Sequence, residues 1–218
     1  MNIADAIRKV QKTGIVPVIR AANVDEARRA VDAICEGGID VIEITLTVPD
    51  APKVIAELVQ HCGKTVLTGA GTVTNAKQAQ ICIDAGAQFL VSPGLSVAVM
   101  ETARNRGVLA IPGALTPTEV MGASEAGAEL IKIFPCGSAG GSKHIRALKA
   151  PFPHANFIPT GGVNLSNAAE YIAAGSFALG IGADLVDLHA LRRNEIEKIV
   201  TAARALIETV KQARAELS

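Results

Sequence analysis

Leu130-Ile131-Lys132-Ile133-Phe134-Pro135 sets one amine inside an otherwise apolar strand. Alternation along a strand sends Leu130, Lys132 and Phe134 to one face and Ile131 and Ile133 to the other. The isoleucine face suits contact with covering helices, so the lysine points into a barrel or cleft. A buried ammonium is costly unless it is paired or its pKa is lowered, and a lysine with a lowered pKa can act as a nucleophile. The competing reading is a strand-end lysine that buries its stem and reaches solvent with its charge.

The flanking sequence repeats one rhythm. After a helix over Ala4–Lys12, eight short apolar runs read as strands: Ile15–Arg20, Val41–Leu46, Thr65–Ala70, Gln88–Ser92, Val108–Ile111, Glu129–Ile133, Asn156–Thr160 and Phe177–Gly180. Helical segments separate them. One opens at Asn23 or Asp25, one carries Pro49 and Pro52 in its first turn, and a long one over Asn194–Ala215 ends the series. Asp84-Ala85-Gly86-Ala87, Glu125-Ala126-Gly127-Ala128 and Ala173-Ala174-Gly175-Ser176 place glycine where a helix ends in the left-handed conformation. Strands alternating with helices imply parallel βαβ units. Eight units imply an α/β fold, a (β/α)₈ TIM barrel with an extra N-terminal helix, with a doubly wound open sheet as the alternative.

At 218 residues the chain suits a single barrel domain over 1–218, since such barrels commonly run to roughly 200–250 residues. Its 21 Lys+Arg balance 21 Asp+Glu, which leaves no basic field for nucleic acid or a membrane surface. Aromatics are 3% with no Trp, so base-stacking platforms are not expected. A small molecule is the expected partner. Cys35, Cys62, Cys82 and Cys136 are scattered without a C-x-x-C pair and read as reduced thiols of a cytoplasmic protein. The first residues lack the apolar run of a signal peptide, and no run approaches the roughly 18 residues of a membrane span.

In such barrels the active site forms at the C-terminal ends of the strands. Glu43 is the second charge within an apolar strand; its neighbours Ile42 and Ile44 face the helices, so Glu43 points inward with Val41 and Thr45. A carboxylate there needs a partner, and Lys132 across the lumen is the natural one; Arg20 is the other candidate. A glutamate and a lysine in a mostly apolar barrel fit proton transfer beside an imine-forming amine. Thr160-Gly161-Gly162 and Gly180-Ile181-Gly182-Ala183, at the mouths of strands seven and eight, offer backbone N–H groups to an anion such as phosphate. Arg20 could instead take a substrate carboxylate, helped by Thr72 after the Gly69-Ala70-Gly71 turn. His61, His144, His154 and His189 lack metal-ligand spacing, so no metal is expected, and no nucleotide-binding glycine motif is present.

Glu43-Ile44-Thr45-Leu46, Gly69-Ala70-Gly71-Thr72, Ser92-Pro93, Pro112-Gly113, Lys132-Ile133-Phe134-Pro135 and Pro159-Thr160-Gly161-Gly162-Val163 stand in that order and spacing. As a set, from about Arg20 to Asp184, they resemble the 2-dehydro-3-deoxy-phosphogluconate / 4-hydroxy-2-oxoglutarate aldolases, class I aldolases on a (β/α)₈ barrel. The resemblance implies a Schiff base between Lys132 and pyruvate, with proton transfer by Glu43. It also implies contact of Thr72 with the pyruvyl carboxylate, a pocket lined by Pro93 and Phe134, and a stereochemical role for Thr160. It further implies a homotrimer without metal or other cofactor, acting on a phosphorylated sugar acid.

Four residues, at three places, depart from the family pattern. Thr47 stands where gluconate-type members often carry Arg, which moves the carboxylate grip to Arg20 as in the galactonate branch. Ala183 replaces a phosphate-binding Ser, and Cys136-Gly137 replaces a frequent Ala-Glu. Two rivals stand beside the aldolase: a phosphate-binding isomerase or epimerase with Glu43 as base, and a non-catalytic binding barrel.

Overall fold

The computed structural model describes residues 2–63 and 65–217. The chain opens with α1 (Ile3–Thr13), then alternates β1 (Ile15–Ile19), α2 (Val24–Glu36), β2 (Val41–Thr45), α3 (Ala51–Cys62), β3 (Leu67–Gly71), α4 (Ala76–Asp84), β4 (Phe89–Val91) and α5 (Val97–Asn105). β5 (Leu109–Ile111) and β6 (Gly113–Ala114) follow, split at Pro112, then α6 (Pro117–Glu125), β7 (Ile131–Ile133), α7 (Ser142–Lys149), β8 (Phe157–Pro159) and α8 (Ala168–Ala173). β9 (Leu179–Ile181), the short α9 (Leu188–Arg192) and α10 (Ile196–Ala215) complete it.

All pairings are parallel. Six strands run in the order β5-β4-β3-β2-β1-β9 and three in the order β6-β7-β8. The two sheets meet at β8 and β9 through a bridge between Thr160 and Gly180, and the Phe177 N–H donates to the Phe157 carbonyl at 2.8 Å. The result is an α/β fold with a curled parallel sheet.

Local chemistry explains the helix boundaries. Asn2, Asn23 and Asn75 cap α1, α2 and α4 by accepting the N–H of the third helical residue, and Thr116 with Glu119 forms a capping box on α6. Gly86, Gly127 and Gly175 follow their helices with φ of 96°, 86° and 91°, as the repeated Ala-Gly pattern predicts. Pro52 lies in the first turn of α3, but Pro49 lies outside it, because Asp50 at φ 53° is the cap.

The curl sorts the apolar side chains into two layers. Ile42, Ile44, Ile131 and Ile133 pack outward among the helices. Val16, Val41, Leu67, Phe89, Leu130 and Ile158 pack inward with Ala6 and Val10 of α1. The first helix thus plugs the N-terminal end of the strands. Each buried Val, Leu or Ile contributes roughly 1.5–3 kcal/mol relative to exposure. Polar groups are left to the opposite, C-terminal end of the inner face.

Candidate active site

Lys132 lies on the inner face of β7, 4% exposed, paired laterally with Gly113 and Ile158. Its stem is not stretched to solvent; Nζ sits 5.2 Å from the centre of the Phe134 ring. That distance is within cation–π range.

Glu43 occupies the inner face of β2 at 2% exposure, beside Val18 and Gly69. Its Oε1 is buried and has no hydrogen-bond partner. None of the ion pairs among the described residues includes Glu43, Lys132 or Arg20. The expected Glu43–Lys132 and Glu43–Arg20 pairs are therefore not formed. Alternation fixes the face of a side chain but not where a long one ends: the carboxylate turns towards β3, whereas the amine turns over Phe134.

The Gly69-Ala70-Gly71 segment, expected as a turn, is strand. Its glycines exist for space. A Cβ on Gly71 would lie 1.9 Å from Glu43 Oε1, and one on Gly69 would lie 2.4 Å from the Phe89 ring. Gly180 has the same relation to Thr160, whose Oγ1 is 2.1 Å from its Cβ position. Thr72, directly after β3, is held at φ 62°. A β-branched residue in that region is a strained outlier, which the surrounding structure must enforce.

Pro93 is exposed at the end of β4, and its carbonyl oxygen presses against Gly113 beside Lys132. Thr160 is buried and donates to the Ile158 carbonyl at 3.3 Å. Gly161 and Gly162 follow at φ 87° and 77°, with Gly162 exposed at the mouth. Arg20 follows β1 and is exposed; its Nη1 is 3.6 Å from the Cβ position of Gly182. The side chain thus reaches the mouth of β9. There Val18, Arg20, Ala183, His189 and Arg192 contribute to a cavity of about 230 Å³. Thr47 is exposed and bonds Thr45 at 2.6 Å, and Thr45 donates to the Ile19 carbonyl at 2.9 Å, tying the ends of β1 and β2.

The thiols take no part. Burial pushes Cys136 and Cys82 up to about 11 and Cys35 up to about 12, so none is a thiolate at neutral pH. The four histidines lie on helices or loops as expected, and no cluster of three His, Cys, Asp or Glu side chains forms a metal site among the described residues. Sequence reasoning missed Gly71 and Gly180 as space for neighbours. The strand period, extended by two residues past Gly69, would have placed Gly71 on the same inner face as Glu43, opposite Thr45.

A family model described as KDPG and KHG aldolase matches residues 6–202. The chain belongs to that aldolase family. The 2-dehydro-3-deoxy-phosphogluconate aldolase of Treponema pallidum (strain Nichols) is 33% identical over 96% of this chain and 98% of its own length. The KHG/KDPG aldolase of Escherichia coli (strain K12) is 34% identical over 96% and 99%. A solved KDPG aldolase from Legionella pneumophila, with pyruvate captured as a covalent carbinolamine, superposes with TM-score 0.86 at 30% identity, covering 92% of this chain and 97% of that one. This member of the KDPG and KHG aldolases is an aldolase, and so a lyase. The isomerase and binding-barrel readings fall with that assignment.

Proposed function

We propose that the chain cleaves 2-dehydro-3-deoxy-6-phospho-D-gluconate to pyruvate and D-glyceraldehyde 3-phosphate, with Lys132 as the Schiff-base amine. The observation that carries this is the nearly complete burial of Lys132 on the same inner face as Glu43, whose Oε1 is buried and unpartnered. The Lys132 amine attacks the C2 ketone, and Glu43 moves protons as the carbinolamine loses water to a protonated imine. Glu43 then takes the C4-hydroxyl proton. The C3–C4 bonding electrons move to the iminium, the aldehyde leaves, and the enamine is reprotonated at C3 and hydrolysed to pyruvate.

In this reading Thr72 grips the pyruvyl carboxylate and Pro93 and Phe134 wall the pyruvyl pocket. Thr160 faces the C4 region, while Gly161, Gly162, Gly182 and Ala183 present backbone to the phosphate. Arg20 supplies positive charge at the same mouth.

A second reading of the substrate is favoured by Thr47 and Arg20: the galactonate epimer, or 4-hydroxy-2-oxoglutarate, with Arg20 on the carboxylate. A lactate-dehydrogenase-coupled assay across the three substrates separates them. The gluconate substrate is expected to give the highest kcat/KM, and a preference of about tenfold or more for another would reassign the substrate while leaving the lysine chemistry in place.

Thr72 gives a separate test. Thr72→Gly removes backbone strain of about 1–3 kcal/mol against roughly 0.5–1 kcal/mol of extra unfolded-state freedom. Stability is thus expected to hold or rise, while KM rises about tenfold through loss of a hydrogen bond to a charged group. Thermal melting and steady-state kinetics check both halves; a lower Tm with unchanged KM would assign Thr72 to structure alone.

Continuity of β5 and β6 through Pro112, with the Thr160–Gly180 bridge, supports one closed (β/α)₈ barrel domain over 1–218. The exposed apolar side chains of Leu95, Val97 and Met121 support assembly as a homotrimer. No helix among the described residues is long and apolar enough to cross a membrane. A cytoplasmic location agrees with four unpaired cysteines.

A further inference from the structure

Glu26 is a carboxylate in the first turn of α2, only 6% exposed, in a helix whose cap is already supplied by Asn23. Its two oxygens are used elsewhere. Oε2 accepts the Ala22 N–H at 2.6 Å, and Oε1 accepts from Arg192 Nε at 2.6 Å. Ala22 belongs to the short loop that carries Arg20 away from β1. Arg192 is the last residue of α9.

These are the two walls of the cavity at the β1 and β9 mouths. One turn further along α2, Arg29 Nη2 donates to the Leu191 carbonyl at 3.0 Å and to Asn194 Oδ1 at 3.2 Å. Two successive turns of α2 therefore hold the end of α9. A helix of five residues has little hydrogen bonding of its own to fix its position. The hydrogen bond from Arg192, opposed by burial, keeps the Glu26 carboxyl below the usual range, so it is charged at neutral pH.

We propose that Glu26 is a positioning residue that ties the Arg20 loop to α9. It thereby sets the cavity that takes the phosphorylated end of the substrate, without acting on the bond that breaks. This rests on the reading that Lys132 holds the pyruvyl end and that the phosphate lies towards Arg20 and Ala183. Removing the tie loosens the distal grip and leaves the amine untouched.

The test compares wild type, E26Q, R192Q, R29Q and the E26Q/R192Q double variant. Each is assayed on the 6-phosphorylated 2-dehydro-3-deoxy sugar acid and on its unphosphorylated analogue, beside borohydride labelling by pyruvate and thermal melting. E26Q keeps the shape and removes the charge. KM for the phosphorylated substrate is expected to rise about tenfold, as for loss of one charge-assisted hydrogen bond. Its kcat should stay within about twofold. The unphosphorylated KM and the labelling of Lys132 should not change.

R192Q alters an exposed side chain that itself lines the cavity and should raise the same KM; R29Q, which frees the Leu191 carbonyl without touching the lining, should raise it too and carries the test where E26Q does not fold. The double variant should be no worse than the stronger single one, because both break the same contact. Equal KM increases for the two substrates, a fall in kcat alone, or additive single effects would overturn the assignment. A wild-type protein that is not labelled by pyruvate at Lys132 would overturn the underlying reading as well, which separates the two failures.

Discussion

Lys132→Met is expected to lower kcat for aldol cleavage by at least about 10⁴-fold, the scale of losing a covalent nucleophile. Methionine matches the length of the lysine stem and suits an inner face flanked by Gly113 and Ile158. The fold should survive. Lys132 carries no ion pair among the described residues, so removing its charge should leave Tm unchanged or higher. Pyruvate release measured with coupled lactate dehydrogenase, together with a melting curve, separates chemistry from folding. Activity within about tenfold of wild type would show that another group carries the reaction.

Gly71→Ala is the second large effect, and it reaches the chemistry through space alone. The new methyl would fall 1.9 Å from Glu43 Oε1, far inside contact distance, with the carboxylate's Cδ at 2.6 Å. Either the carboxylate or β3 must move. Moving the carboxylate takes the proposed proton carrier from its site, at an expected cost of about 10²–10⁴-fold in kcat, the usual worth of a positioned general acid–base group. Overpacking adds roughly 1–3 kcal/mol of instability. Glu43→Gln is expected to show a kcat loss of similar size with less effect on Tm. Adding Glu43→Gln to Gly71→Ala should then cost little more, since both remove the same function. Full additivity in the double variant would mean that Gly71 acts on the backbone and not on Glu43.

The parts of the molecule legible in the sequence are those that depend on local periodicity. Charges at Lys132 and Glu43, each flanked by isoleucines that must face helices, announced an inward amine and an inward acid, and both are buried on the inner face. Glycine after Ala85, Ala126 and Ala174 marked helix ends because the left-handed conformation is a local requirement.

Tertiary requirements were not legible. Glycine reads first as a turn residue, so Gly69 and Gly71 suggested a bend, when their purpose is to leave room for Phe89 and Glu43 on neighbouring strands. The expected pairing of Glu43 with Lys132 or Arg20 failed for a related reason. Sequence fixes the face from which a side chain departs, whereas its end is placed by neighbours such as Phe134 and Gly182. The Glu26–Arg192 contact joins residues 166 positions apart and has no local signature at all.

The most direct test of the whole account is borohydride reduction in the presence of pyruvate, followed by peptide mass mapping. The imine proposed for Lys132 is reduced to a stable secondary amine, so one pyruvyl group should appear on the peptide containing Lys132, and Lys132→Met should give none. An unmodified Lys132 in active protein, or the same adduct on a different lysine, would contradict the mechanism proposed here.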